Sequence, residues 1–296
     1  MKKITTASLG VLLFSTLVLG SQEAFASVEQ PEAKSDATVQ FEADNDPTDP
    51  PIVVPPTGDG KPGIVDPGGS DGSKGDGTPS FNIAYVSNFR FNDRTEDDTD
   101  FTKFNPIKLN ANGMTLWAKG NQLTINEVDK DNNLLDPKVS TVYENIPNFV
   151  QVVDNRGKLS GWNLHVTASD FTGKDEEEND VVLKGAKLSL NDVSLKGPEG
   201  VLAPAIGFTN SAELSSESSL MLNAGKDAGT GSWSLKFGNE ETVGATAYET
   251  LVKDTGVKLE IPASAGTKAG VNYTSKLVWT LTDAPAKDDT PAEGDE

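Results

Sequence analysis

The sequence contains no cysteine, which excludes disulfide bonds as a source of stability and excludes a cysteine nucleophile. The fold must therefore rest on a hydrophobic core that is large enough to stabilise a domain unaided. Histidine is nearly absent too, since His165 is the only one in the chain. It falls on the polar face of a predicted strand, as expected for a surface histidine without a chemical role.

Catalysis is poorly supported by the residues that remain. Paired carboxylates could serve a glycosidase, but a chain with 45 Asp and Glu residues offers so many pairs that none stands out. We therefore predict that the protein is not an enzyme.

Basic residues are scarce, with 25 Lys and Arg against 45 Asp and Glu and a net charge of −20. This charge argues against nucleic acid as a partner, because phosphate binding requires a basic surface. It should also repel anionic lipid and anionic wall polymers. Attachment to a cell surface would need neutral contacts, a few local cations or bridging metal ions.

Only one apolar run is long, and it lies near the N-terminus. Lys2 and Lys3 precede the run Leu9–Leu19, and Ala24-Phe25-Ala26 provides a small-residue cleavage site. This pattern predicts a secretory signal peptide over residues 1–26. The run is shorter than the roughly 20 residues that cross a bilayer, so we predict a secreted protein with no membrane span.

Two segments are poor in residues that could form a core. Residues 27–80 contain nine of the seventeen prolines and eight of the twenty-eight glycines, which predicts a disordered, acidic Pro/Gly-rich linker. Residues 286–296, with the sequence AKDDTPAEGDE, form an acidic segment that we predict to be a disordered tail.

Residues 81–285 have a different pattern, in which apolar and polar residues alternate over short runs. The clearest examples are GWNLHVT, KGAKLSL, GSWSLKFG, GVKLEIPA and NYTSKLVWTLTD. A period of two predicts strands, and no window has a sustained helical period. We predict an all-β fold, with a single β-sandwich-like domain of short strands after the linker.

The chain is acidic, and DKDNNLLD places the oxygen ligands of Asp129, Asp131, Asn133 and Asp136 near one another, as a calcium site would require. An EF-hand loop requires glycine where Leu134 stands and glutamate where Ser140 would fall. The segment is better explained as a polar turn. We predict no metal and no cofactor.

One triplet, Trp-x-Leu, uses three of the four tryptophans. It occurs at Trp162-Asn163-Leu164, Trp233-Ser234-Leu235 and Trp279-Thr280-Leu281. In a strand the Trp and Leu point to the same side and form one apolar patch. Packing of these patches into a shared core is the first interpretation, and stacking of an exposed indole on a sugar is the second.

The segment NFVQVVDNRGKLSGWNL contains the main polar cluster. Two strand-like runs, 149–153 and 162–166, flank a loop and suggest a hairpin. Either Asp154 and Arg156 pair within the turn, or they form a recognition edge with Gln151, because Arg and amide groups bind carboxylates and sugar hydroxyls.

Four segments together resemble the WxL-domain cell-surface proteins of Gram-positive bacteria. They are Ile146–Leu164, LKGAKLSL at Leu183–Leu190, the segment GTGSWSLKFG and Tyr273–Pro285. The two defining motifs of that family correspond to Trp162-Asn163-Leu164 and Trp279-Thr280-Leu281.

The resemblance implies a secreted, non-catalytic protein of the cell wall and cell surface that attaches non-covalently to peptidoglycan. The alternative is a component of a surface complex or an adhesin, whose partners are other surface proteins or host extracellular matrix. The predicted ligand-binding residues are Trp162, Leu164, Trp279, Leu281, Gln151, Asp154 and Arg156.

Overall fold

The structure is a computed structural model. It describes residues 39–92, with gaps at 41, 44, 47–48, 58–59 and 76, and residues 105–238 and 256–283. All of the described secondary structure lies in the second of two compact units, Glu42–Glu296. The predicted signal peptide, the first part of the linker and the acidic tail lie outside the described residues.

The described residues form strands and no helix. In chain order the strands are β1 Gly63–Val65, β2 Gly72–Ser73, β3 Gly77–Thr78, β4 Phe81–Ser87, β5 Met114–Trp117, β6 Asn121–Glu127, β7 Ser140–Ile146, β8 Asn148–Asp154, β9 Trp162–Ala168 and β10 Thr172–Lys174. They continue with β11 Asp180–Val182, β12 Lys187–Asn191, β13 Val193–Lys196, β14 Ala205–Ile206, β15 Ser211–Leu214, β16 Ser219–Ala224, β17 Gly231–Phe237, β18 Val257–Ile261 and β19 Leu277–Thr282. The prediction of an all-β fold is confirmed.

These strands pair into antiparallel sheets. The β8 sheet has the order β13-β17-β8-β4-β2, and β3 also pairs with β4. The β9 sheet has the order β14-β16-β9-β19, and the β12 sheet has the order β15-β12-β18-β5. The N-terminal sheet contains β1, β6 and β7, while β10 and β11 form a separate two-stranded ribbon.

The β8 sheet is the central layer, with a hydrophobic core on each face. All seven residues of β8 are buried. Val150 and Val152 belong to the larger core, which also receives side chains from the β9 and β12 sheets. Phe149 and Val153 belong to a smaller core against the N-terminal sheet. Because side chains alternate between the faces of a strand, burial on both faces explains the nearly continuous apolar run FVQVV.

The hairpin predicted for residues 149–166 is not formed. β8 pairs with β4 and β17, whereas β9 pairs with β16 and β19 in another sheet. The loop between β8 and β9 therefore joins two sheets that pack on a common core. The prediction was wrong because a short polar loop can equally connect strands of different sheets.

The predicted linker is corrected at its C-terminal end, because much of residues 49–80 is folded. Val53 is 0% exposed and exchanges backbone hydrogen bonds with Gly63. β1 extends the N-terminal sheet by pairing with β6, and β2 and β3 pair with β4. Backbone pairing and buried polar groups such as Asp71, 2% exposed, hold this segment, and neither is visible in a Pro/Gly-rich composition.

Candidate functional site

The first Trp-x-Leu motif is part of the core. Trp162 and Leu164 lie in the central strand β9 and are both 0% exposed. The indole nitrogen of Trp162 donates a hydrogen bond of 3.1 Å to the carbonyl of Gly229. Gly229 has φ of +76°, and a Cβ there would lie 2.8 Å from the Trp162 Nε1. Only glycine fits this conformation and this close approach.

The motif at Trp233 and Leu235 is buried as well. The two residues lie in β17, between β13 and β8, and are 4% and 0% exposed. The Trp233 Nε1 donates to the carbonyl of Thr230 at 3.0 Å. Both buried indoles therefore satisfy their single donor, as polar groups in a core require.

The second defining motif lies on the edge strand β19. Leu281 pairs with Leu164 and Trp279 pairs with Val166 on the neighbouring strand β9, so both motifs face the same core. Trp279 stacks on Phe237, with ring centroids 6.4 Å apart and an interplanar angle of 30°. Trp279 is only partly buried, and its exposed part lines a groove.

This groove, which we call the Trp279 groove, has a volume of about 600 Å³. It lies between residues 86–92, which continue from β4, and residues 272–279, which lead into β19. Five aromatic side chains contribute to its lining, namely Phe89, Phe91, Phe171, Tyr273 and Trp279. Phe89 packs edge-on against Phe237 at 5.9 Å, so the aromatic wall is anchored in the core.

Polar groups line the other part of the groove. Asn88 and Arg90 both bind the buried carboxylate of Asp71: the Asn88 Nδ2 donates at 2.9 Å, and the Arg90 Nε and Nη2 donate at 3.1 and 3.0 Å. Asn272 and the exposed Lys276 line the opposite wall. Asp71 belongs to the segment predicted to be linker, so the corrected segment helps to build the site.

A second depression of about 830 Å³ continues from the first and shares Phe91, Asn92, Phe171, Asn272 and Tyr273 with it. Its remaining walls are mainly aliphatic, with Met114, Leu116, Leu183, Leu259 and Ile261 among them. Together the two depressions form an extended surface that is aromatic and polar at one end and apolar at the other.

Arg156 is a structural clamp. Its side chain is 7% exposed and lies over the ring of Phe81, with 3.6 Å from Cζ to the ring centroid. It donates to both carboxylate oxygens of Asp154, at 2.8 and 2.9 Å, to the Gly161 carbonyl and to Asp283. Arg156 thereby ties the end of β8, the start of β9 and the end of β19 together.

Gln151 has a similar internal function. It is 1% exposed, accepts a hydrogen bond from the Val54 N–H at 2.9 Å and donates to the Val54 carbonyl at 2.7 Å. It also donates to the Ser234 hydroxyl at 2.8 Å. Its amide therefore fixes the folded N-terminal segment onto the β8 sheet.

The seven predicted ligand-binding residues thus fall into two groups. Trp162, Leu164, Gln151, Asp154 and Arg156 have buried side chains with partners inside the domain. Leu281 packs against the larger core. Trp279 alone of the seven lines the groove, and ligand contact there remains a prediction.

Sequence reasoning missed the wall formed by residues 88–92. The stretch NFRFN alternates two phenylalanines with Asn88, Arg90 and Asn92. This mixture of aromatic rings with amides and arginine is what a sugar site uses, and it was the available signal. It lies close to the predicted linker boundary and outside the Trp-x-Leu triplets.

The other candidate sites have ordinary environments. His165 lies between Leu220 and Thr280 on its neighbouring strands. The Asp129 carboxylate accepts hydrogen bonds from the N–H groups of Asp131 and Asn133 at 2.8 and 2.9 Å, which makes DKDNN a polar turn. Within the described ranges, no group of three or more acidic or histidine side chains could hold a metal ion. Nor do these ranges contain a helix suited to spanning a bilayer.

Comparison with known proteins gives one result. The family described as "WxL domain surface cell wall-binding" matches residues 28–285. No curated protein and no solved structure matches the chain.

Proposed function

Because the chain belongs to the WxL-domain family of surface cell-wall-binding proteins, we propose that its domain attaches non-covalently to peptidoglycan through the Trp279 groove. The protein acts at the cell wall and cell surface. The proposal assigns no catalysis to the domain, in keeping with a family defined by binding.

The observation that carries the proposal is the composition of the groove. Aromatic rings such as Trp279 and Tyr273 offer flat apolar faces on which a pyranose ring can stack, while the amides of Asn88 and Asn272 can donate to and accept from hydroxyl and N-acetyl groups. A mainly apolar concave surface with a few fixed polar groups is typical of ligand sites. A volume of about 600 Å³ is within the range of such sites.

The electrostatics of the chain support the same choice of ligand. With a net charge of −20, the protein should be repelled by the polyphosphate backbone of teichoic acids. The glycan strands of peptidoglycan are neutral apart from their peptides, so they can approach the groove without this penalty.

Co-sedimentation with purified Gram-positive sacculi, before and after removal of teichoic acids, tests the proposal. We use the full chain without its predicted signal peptide. We expect saturable binding that survives stripping. Trp279→Ala should lose at least about fivefold in affinity, since stacking on an aromatic side chain contributes about 1–3 kcal/mol in the comparable case of nucleic-acid bases.

Trp117 provides a matched control. It is also a partly buried tryptophan on an edge strand, β5, but it does not line the groove. Trp117→Ala should bind sacculi like the unmodified chain. Equal losses in the two variants would contradict the placement of the site.

The alternative assigns the wall association to other surface proteins, or to host matrix in an adhesive function. If the pure protein binds neither sacculus preparation, this alternative is favoured and direct peptidoglycan recognition is excluded.

A further inference from the structure

We infer that the Trp279 groove recognises the carboxylate of a peptidoglycan stem peptide together with the adjoining sugar, and not the bare glycan. This inference rests on the proposed function and names the part of the polymer that the groove binds.

The first step is the charge of the groove. The lining residues that the structure describes include two cationic side chains, Arg90 and Lys276, and no carboxylate. The chain as a whole has 45 acidic and 25 basic residues, so the described lining differs in charge from the rest of this acidic molecule, with Arg90 paired to the buried Asp71 and Lys276 as the second cation. The described lining of the adjoining depression includes Lys108 and Lys268, of which Lys268 is paired with the Asp175 carboxylate at 2.8 Å. Cationic side chains do not attract a neutral glycan, whereas they do attract an anionic ligand.

The second step is the fixed position of Arg90. Its guanidinium is held by Asp71, whose side chain is 2% exposed and lies behind the groove wall, while the Arg90 side chain is 30% exposed. Asp71 therefore orients the guanidinium before any ligand arrives, which limits the side-chain entropy lost on binding. An oriented guanidinium matches the planar geometry of a carboxylate.

The third step is Lys276, which supplies charge that Asp71 does not neutralise. Lys276 is exposed, and its backbone is fixed by a 2.9 Å hydrogen bond from its N–H to the Ser169 hydroxyl. None of the described carboxylates forms a salt bridge with it. It lies three residues before Trp279, and both residues line the groove.

A single carboxylate next to neutral sugars fits this arrangement better than a teichoic acid does. The polyphosphate would bring repeated negative charge to a chain with a net charge of −20. The stem peptide brings one or two carboxylates and apolar alanine side chains, which suit the aliphatic depression beyond Phe171 and Tyr273.

Isothermal titration with four soluble probes tests the inference. The probes are an N-acetylglucosamine tetramer, a muramyl disaccharide with its stem peptide, the same fragment with its carboxylates amidated, and poly(glycerol phosphate). We expect the free-carboxylate fragment to bind tightest, amidation to weaken it about tenfold, and its affinity to fall with added salt.

Two variants locate the effect in the groove. Lys276→Gln should weaken the free-carboxylate fragment about three- to tenfold and leave the tetramer unchanged. Arg90→Lys, which keeps a cation beside Asp71 but removes the planar guanidinium, should also weaken the same fragment. Lys226→Gln makes the same charge change at an exposed position outside the groove and should have no effect.

Equal affinity for the free and amidated fragments, with no effect of Lys276→Gln, would overturn the inference and leave peptidoglycan binding intact. Tighter binding of poly(glycerol phosphate) than of the fragment would overturn it in favour of a teichoic acid site. Failure of every probe and of whole sacculi would overturn both this inference and the proposed function.

Discussion

The two defining Trp-x-Leu motifs lie on neighbouring strands of one sheet, yet only one of them reaches the surface. Trp162 is on the central strand β9 and is completely buried, with its indole N–H bonded to Gly229. Trp279 is on the edge strand β19, where its ring stacks on Phe237 and also lines the groove. The same triplet therefore lies in two different environments.

The difference shows that position in the sheet decides how much of a motif is exposed. A central strand has a neighbour on each side, so the rings that it places on the inner face are enclosed by the neighbours' side chains. An edge strand lacks one neighbour and leaves one flank of its inward rings open. The leucines of both motifs face the core, and Leu164 and Leu281 are direct cross-strand partners.

The largest expected effect comes from removing the buried motif. Trp162→Ala should lower the free energy of unfolding by about 3–5 kcal/mol, because it leaves a large cavity and an unpaired Gly229 carbonyl. Urea denaturation followed by far-UV circular dichroism measures this change. A variant that unfolds like the unmodified chain but no longer binds sacculi would reverse the assignment of the two motifs.

A slightly smaller effect is expected at the clamp between the two motif strands. Arg156→Ala leaves Asp154 buried without its cation and should cost about 3 kcal/mol of stability. The exposed pair of Lys187 and Glu213, at 3.0 Å with both side chains more than half exposed, provides the control. Lys187→Ala should cost less than about 1 kcal/mol, and equal losses in the two variants would show that Arg156 is no clamp.

Replacing the partly exposed tryptophan, Trp279, should affect wall binding more than stability. Trp279→Ala should cost only about 1–2 kcal/mol of stability, because part of the ring is already in water, while wall binding is lost. Denaturation and sacculus binding measured on the same preparation separate the two effects. A stability loss as large as that of Trp162→Ala would make Trp279 a core residue like its counterpart.

The smallest effect concerns the loop that leads into β19. The hydrogen bond from Lys268 and the N–H groups of Asn179 and Glu177 lower the pKa of Asp175 from 3.8 to about 2. A carboxyl with a lowered folded-state pKa stabilises the fold above its unfolded pKa, and this contribution disappears as the pH falls through the folded value. We therefore expect the link between this loop and the β10–β11 ribbon to weaken between pH 3.8 and about 2.

Carboxyl NMR titration of Lys268→Gln measures this link directly. The pKa of Asp175 should rise toward its ordinary value when its cation is removed. Asp129 is the internal control, since the N–H groups of Asn133 and Asp131 in its own turn lower its pKa, and it should not change. An unchanged pKa at Asp175 would mean that the loop is held by other contacts.

Much of the fold could be predicted from the sequence, because strands buried on one face leave a period of two. This holds for GSWSLKFG and GVKLEIPA, which are β17 and β18. The pairing of strands could not be predicted in the same manner, since β8 and β9 are adjacent in the chain but lie in different sheets. The folded part of residues 49–80 was missed because its stability comes from backbone pairing and from the buried amide of Gln151, which lies far along the sequence.

The candidate site was only partly predictable for the same reason. Trp279 could be singled out by its repeated triplet, but nothing local distinguishes its exposure from that of Trp162. The groove itself depends on long-range contacts, above all the pairing of Asp71 with Asn88 and Arg90. Composition cannot reveal a carboxylate that orients residues 17 and 19 positions away.

The most direct test of the account is a nitrogen-15 NMR spectrum of the four indole N–H groups, recorded while a soluble disaccharide-peptide fragment of peptidoglycan is added. We predict that the Trp279 resonance shifts in a saturable manner, while those of Trp162, Trp233 and Trp117 stay in place. A shift at Trp162 with none at Trp279, or binding that moves none of the four, would contradict the division between a buried motif and a contact motif.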